Sequence, residues 1–349
     1  MKESESEKYL GDVINKTGNI QATINKRKEK GTGIVAEILS IINEIPLGKH
    51  RVDVALRLRE AMLINGILHN SEAWHGVTDA HIATLESLDL TLLRGILNAH
   101  GKTTKEFLYL ETGVVPIKWI IAQRRINYLK HILDRDESEL IRKVYLAQRE
   151  QPLRGDFVRL VEKNIKDIGL TYEQATSNEI TKEKLKSLVK NVAFQQLLQQ
   201  QGGHKKVKEI VYKSFSIQPY LQSELLSQKD KEMLTSLRSH SVRGIRHNFR
   251  KLFRNSLHCP LKCENEDFQK EDTQSHILSC KSLSDGVEQP LTDIYHDNIM
   301  VQAQVTKVIS KLMRKRVKLL EESEKSLPGA KFLDLFSRLQ QLLGVAIVV

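Results

Sequence analysis

Cys259, Cys263, His276 and Cys280 stand within a 22-residue window, and the chain has no other cysteine. Their spacing is C-x3-C-x12-H-x3-C, two close ligand pairs joined by a loop. That arrangement lets thiolates and an imidazole close a tetrahedron around zinc. His276 and Cys280 are four apart, so one helical turn would set both side chains on the same face. The intervening "ENEDFQKEDTQS" (264–275) is polar except for Phe268 and has no apolar surface with which to build a core. The competing reading is three buried thiols beside an unrelated histidine. Confinement of every thiol to one short window favours zinc. His258, next to Cys259, is either a substitute ligand or a surface histidine.

A second chemical pattern precedes the cysteines. In "LRSHSVRGIRHNFRKLFRN" (237–255), Arg243, Arg246, Arg250 and Arg254 recur at i, i+3, i+7 and i+11, while Val242, Ile245, Phe249 and Phe253 line an adjacent face. Six cations, Arg238, Arg243, Arg246, Arg250, Lys251 and Arg254, occur there with no acid among them. A helix of this kind buries its apolar stripe and aims guanidinium forks at phosphate oxygens. The competing reading is an amphipathic helix with a solvated basic face. A shorter run, "NKRKEKGTG" (25–33), offers Lys26, Arg27 and Lys28 for the same purpose.

The elements that would position these groups are mostly helical. "RVDVALRLREAMLINGIL" (51–68) is a long apolar-rich run. "DAHIATLESLDLTLLRGIL" (79–97) sets Ile82, Leu85, Leu88, Leu92 and Ile96 along one stripe behind a Thr-Asp start. "PIKWIIAQRRINYLKHIL" (116–133) opens with Pro116, which a first helical turn tolerates. Strand signal is confined to "KYLGDVIN" (8–15). From about 134 to 205 the chain turns polar and lysine-rich, and "QQLLQQQGGHKK" reads as a hinge between two halves. Near the C-terminus Val301, Val305, Val308 and Leu312 fall in helical register.

Composition narrows the function classes. Lysine and arginine number 54 against 43 acids, a net charge of +11 that favours an anionic partner, nucleic acid first and an acidic membrane surface second. Aromatics at 5% are too few for a surface that stacks many bases. No stretch approaches the ~18 apolar residues of a membrane helix. The acidic, polar N-terminus is neither a signal nor a transit peptide. An intracellular location, nuclear or cytoplasmic, with reduced thiols is therefore expected.

Enzymatic motifs are missing. Gly101-Lys102-Thr103 is half of a phosphate-binding loop, but the partner glycine belongs at 96, where this chain has Ile96 and Gly95 misses by one. No nucleophile elbow, zincin motif or dinucleotide fingerprint is present, and no two aspartates adjoin.

Four pieces occur in a telling order: "KYLGD", the run "ILHNSEAWHGVTDAHIATLESLDLTLLRGILNAHGKTTKEFLYLETGVVPIKWIIAQRRINYLKHIL", the "LTSLRSHSVRGIRHNF" helix and the cysteine cluster. Together, over roughly residues 8–300, they resemble the C-terminal part of a reverse transcriptase from a non-LTR (LINE-type) retrotransposon. The resemblance implies thumb helices, a connecting region and a CCHC zinc knuckle formed by Cys259, Cys263, His276 and Cys280. It also places the palm's Asp-Asp hairpin upstream of "KYLGD", so this chain is expected to hold the grip without the catalytic carboxylates. The first cysteine pair departs from the family's usual C-x-x-C. Pro290 and Asp293 do not complete the restriction-like endonuclease series that some relatives carry after the knuckle.

The expected protein is mainly α: a thumb-like helical bundle with a short N-terminal strand region (1–133), a polar helical connector (134–236), a basic helix with its zinc knuckle (237–290) and a helical tail (291–349). Its expected role is binding RNA or DNA, with zinc as the only cofactor and no membrane partner. By itself it would be no enzyme, and a polymerase palm would come from another chain. The alternative is a helical zinc-knuckle adaptor for a protein partner.

Overall fold

The computed structural model describes residues 6–9, 12–15, 20–44, 48–242, 276–277, 280, 294–295 and 298–325. These are mainly helical. An antiparallel hairpin pairs Ser6–Tyr9 (β1) with Asp12–Asn15 (β2), Tyr9 opposite Asp12. The helices are Gln21–Glu44 (α1), Arg51–Leu58 (α2), Asn65–Ile67 (α3), Asp79–Leu97 (α4), Lys105–Thr112 (α5), Ile117–Leu133 (α6), Leu140–Glu150 (α7), Phe157–Asp167 (α8), Tyr172–Thr176 (α9), Lys182–Gly202 (α10), Pro219–Gln222 (α11), Gln228–Arg238 (α12) and Ile299–Lys325 (α13). A π-helical turn, Arg59–Ile64, joins α2 to α3. Among the described residues no helix is long and apolar enough to cross a membrane.

The chain divides into two compact units. The first holds residues 1–96, 108–200 and 214–217; the second holds 97–107, 201–213 and 218–349.

In the first unit α1 runs close against its neighbours because two glycines allow it. A Cβ on Gly31 would sit 2.6 Å from Leu88 Cδ1, and one on Gly95 would sit 2.4 Å from Leu39 Cδ2. The stripe on α4 faces inward: Leu85, Leu88, Leu92 and Ile96 are buried, and Ile82 is half-buried at its edge. Asp89 shares that buried face. It is held by Arg59, whose Nε and Nη2 approach its carboxylate oxygens at 2.6 and 2.7 Å, and by the Tyr109 hydroxyl at 3.2 Å. Burial alone would lower the Arg59 pKa, but the charge and hydrogen bond of Asp89 outweigh it and hold it above the ordinary value. Burial, then the nearby Asp89 and Glu86 charges, pushes the Tyr109 phenol well up, so it stays a donor.

The stretch "LYLETGVVP" closes this core. Thr112 returns its hydroxyl to Leu108 O at 2.7 Å, and Arg59 Nη2 donates to Val115 O at 3.2 Å. Gly113 ends α5 at φ +66°, and a Cβ there would stand 2.3 Å from the Ser216 carbonyl carbon. Both the left-handed backbone and the close approach demand glycine. Gly113→Ala should therefore cost about 2–3 kcal/mol and lower the thermal midpoint by circular dichroism. An unchanged midpoint would mean that the segment at Ser216 yields freely.

Residues 134–200 are polar in composition and make up most of the connector (134–236) that the sequence suggests. In the structure they form four helices within the first unit. The physical reason is that each helix needs only a narrow apolar stripe. Helix α8 buries Phe157, Val161 and Ile165, and α10 buries Leu185, Val189 and Leu197, while lysines occupy the wet faces. A capping box starts α9: Thr171 Oγ1 accepts from Gln174 N at 3.2 Å, and Gln174 Oε1 accepts from Thr171 N at 2.9 Å.

The second unit pairs α12 with α13. Ser227 caps α12 by accepting from Asp230 N at 3.2 Å. On α13 Val305 and Leu312 are buried as their register predicts, but Val301 and Val308 are only half-buried. The inward face is rotated to include Gln302, Thr306, Ile309, Met313 and Arg316. Thr306 can lie there because its hydroxyl is satisfied by Gln302 O at 2.6 Å.

Candidate nucleic-acid interface

Of the four residues expected to ligate zinc, Cys259 and Cys263 lie outside the described residues; His276 is 5% exposed and Cys280 is fully buried. Among the described residues no group of three or more histidines, cysteines or carboxylates could hold a metal. The donor chemistry of the two that are described, a buried thiol and a buried imidazole four residues apart, fits zinc.

Arg243, Arg246, Arg250, Lys251 and Arg254 also fall outside the described residues. Arg238, grouped with them from the sequence, is not a surface cation. It is fully buried, its guanidinium 5.7 Å from the Tyr212 ring and 5.5 Å from the Tyr220 ring, with Nη1 donating to Ile294 O at 2.6 Å. The position at the C-terminus of α12 and two flanking aromatic faces make it an internal clamp. The Tyr295 hydroxyl adds a 2.7 Å contact to His240 Nε2, with the two rings stacked. Burial pushes the Tyr295 phenol up to about 12. Residues 238–240 and 294–295 are thus tied together. In sequence, the arginine row and Cys259, Cys263, His276 and Cys280 fall between these two tethered points.

Arg27 is likewise buried, donating Nη1 to Gly66 O at 3.2 Å, so it joins α1 to α3 and does not face phosphate. Of its neighbours in the run, Lys28 is exposed and Lys26 half-buried.

Sequence reasoning missed the groove on the first unit. Arg124, Asn127, Tyr128 and His131 lie at i, i+3, i+4 and i+7 of α6, turned away from the buried Ala122, Ile126 and Leu129. With Asn65, His69, Asn178, Ile180, Thr181 and Lys182 they line an open groove of about 840 Å³. The walls are fixed from below. Arg124 donates to Leu68 O and, at 3.3 Å, to Asn65 Oδ1, and Lys130 Nζ donates to Ser177 O at 2.8 Å and Ile180 O at 2.5 Å. Phe157 meets Tyr128 edge-on at 5.6 Å, and Tyr128 stacks against His131 at 6.2 Å and 19°. This aromatic ladder runs from the core to an exposed imidazole. Burial first, then the Glu72 charge, raises the Tyr128 pKa and keeps the phenol neutral. The signal was present in "RRINYLKH" as a second, polar stripe at helical spacing, masked by the stronger apolar one.

Comparison of the chain with protein-family models, with curated proteins and with solved structures finds no match.

Proposed function

We propose that this chain binds nucleic acid, as the post-palm helical and zinc-knuckle portion of a non-LTR retrotransposon reverse transcriptase. The observation that carries it is the row Arg243, Arg246, Arg250 and Arg254, at one-face spacing with Lys251 beside it and no acid intervening, in a chain of net charge +11. Guanidinium groups so spaced neutralise phosphates, and each neutralised phosphate releases a condensed counterion. Cys259, Cys263, His276 and Cys280 hold zinc in this reading, and zinc orders the polar segment that adjoins the row. The tether at Arg238 supports the arrangement by bringing the two ends of the stretch together, which reduces the chain entropy lost when the metal closes it.

Titration of RNA and DNA at increasing salt tests the proposal. Log affinity should fall steeply with log salt, and the double substitution Arg246→Gln/Arg250→Gln should reduce that slope by nearly 2, with helicity unchanged. If affinity stays within about twofold at moderate salt, the row is only a solvated face. Absence of any nucleic-acid binding would instead favour the adaptor role.

A further inference from the structure

We propose that the α6 groove of the first unit is a binding site for unpaired nucleotides of single-stranded nucleic acid, a base stacking on the outward face of His131. The inference deepens the nucleic-acid reading and rests on it, but it uses residues other than the arginine row.

Three observations carry it. First, the ladder Phe157–Tyr128–His131 ends in an exposed ring held parallel to the one beneath it. An added base can extend the stack beside the 3.2 Å contact of His131 Nε2 with Arg135 Nη2, and such stacking tolerates any base because each has a π-face. A duplex has its bases already paired and stacked and leaves no face for the imidazole. Second, the side chains of His69, Asn127 and Asn178 line the groove and make no hydrogen bond with another described residue. Amides and imidazoles in that state carry donors and acceptors suited to the Watson–Crick edge of a splayed base or to a ribose hydroxyl. Third, the groove is nearly balanced in charge: Arg124, Lys130 and Lys182 face Glu72 and Asp134. Lys130 is already engaged by two carbonyls. A site that gripped only phosphate would show a surplus of cations; this one is built for base and sugar, with the exposed Lys182, which no other described residue engages, as the cation available to a backbone phosphate.

The charge balance separates this site from the arginine row. Stacking and neutral hydrogen bonds release no counterions, so loss of the groove lowers affinity without changing the salt slope. The test uses the full zinc-loaded chain and fluorescein-labelled single-stranded RNA, single-stranded DNA and the matching duplex, read by anisotropy over a salt series. His131→Ala/Asn127→Ala should weaken single-strand binding about tenfold, the share of a stacked base, with duplex binding and the salt slope unchanged. Neither substitution removes a core contact, and an unaltered melting curve confirms the fold. Unchanged single-strand affinity in the double variant overturns the groove site while leaving the nucleic-acid reading intact. An equal loss for duplex and single strand also overturns it. A wild-type chain that binds none of the three oligonucleotides overturns both readings.

Discussion

Asp89→Ala should destabilise the first unit by about 3–5 kcal/mol, the largest effect expected from one substitution in its core. Asp89 is 0% exposed and Arg59 2%, so neither can turn to water when its partner is lost. The alanine leaves the buried guanidinium with the exposed Glu60, 3.6 Å from Nη1, in place of its buried counter-charge, and the Tyr109 hydroxyl with its longer 3.3 Å contact to Glu86. Denaturant unfolding measures the loss. Removing the whole network, with Arg59→Met/Asp89→Leu/Tyr109→Phe, should recover most of it, because an apolar replacement of similar volume deletes the desolvation cost together with the attraction. A single variant within about 1 kcal/mol of the parent would mean that water reaches Arg59.

If Cys259, Cys263, His276 and Cys280 hold zinc as proposed, Cys280→Ser should release it and unfold the segment 259–280, with the helices of the first unit unaffected. The stretch 264–275 has Phe268 as its one apolar side chain, so the ordering free energy has to come from metal, about 10–16 kcal/mol in small structural zinc modules. Burial of Cys280 and His276 means that neither donor can be replaced by water without opening the site. Elemental analysis should find one zinc per chain in the parent and none in the variant, with limited proteolysis newly cutting 259–280. Chelation of the parent should reproduce the variant, which separates metal loss from a serine packing defect. A reduced, metal-free chain whose amides in this segment exchange as slowly as those of the zinc form would overturn the assignment.

Both predictions depend on groups of different legibility. The candidate ligand set Cys259, Cys263, His276 and Cys280 is written in local spacing, which a sequence displays without a fold. The same holds for the long helices: α4 spans the run marked out by its apolar stripe, and α6 starts just after its proline. Periodicity is a local property, and residues three or four apart meet whenever a helix forms.

Pairings across long separations could not be read. Arg59 and Asp89 are 30 residues apart, and Arg238 and Ile294 are 56 apart. Nothing in either stretch marks the partner. Charge counting therefore assigns Arg238 and Arg27 to the surface with the other cations, whereas packing buries both, one between two tyrosines and one against a backbone carbonyl. The same limit explains the polar segment 134–200. Its composition describes the wet faces of α7 to α10, while its place in the first unit is decided by narrow stripes that find a surface only once α6 is in position. The groove is the clearest case. Arg124, Asn127, Tyr128 and His131 share a helix face by spacing alone, but only the folded chain brings His69 and Asn178 beside them, because loops distant in sequence converge when the helices beneath them pack. By itself the sequence determined local periodicity, charge and the ligand spacing. Tertiary structure decided which of those groups water can reach, since burial is a property of neighbours that no single segment contains.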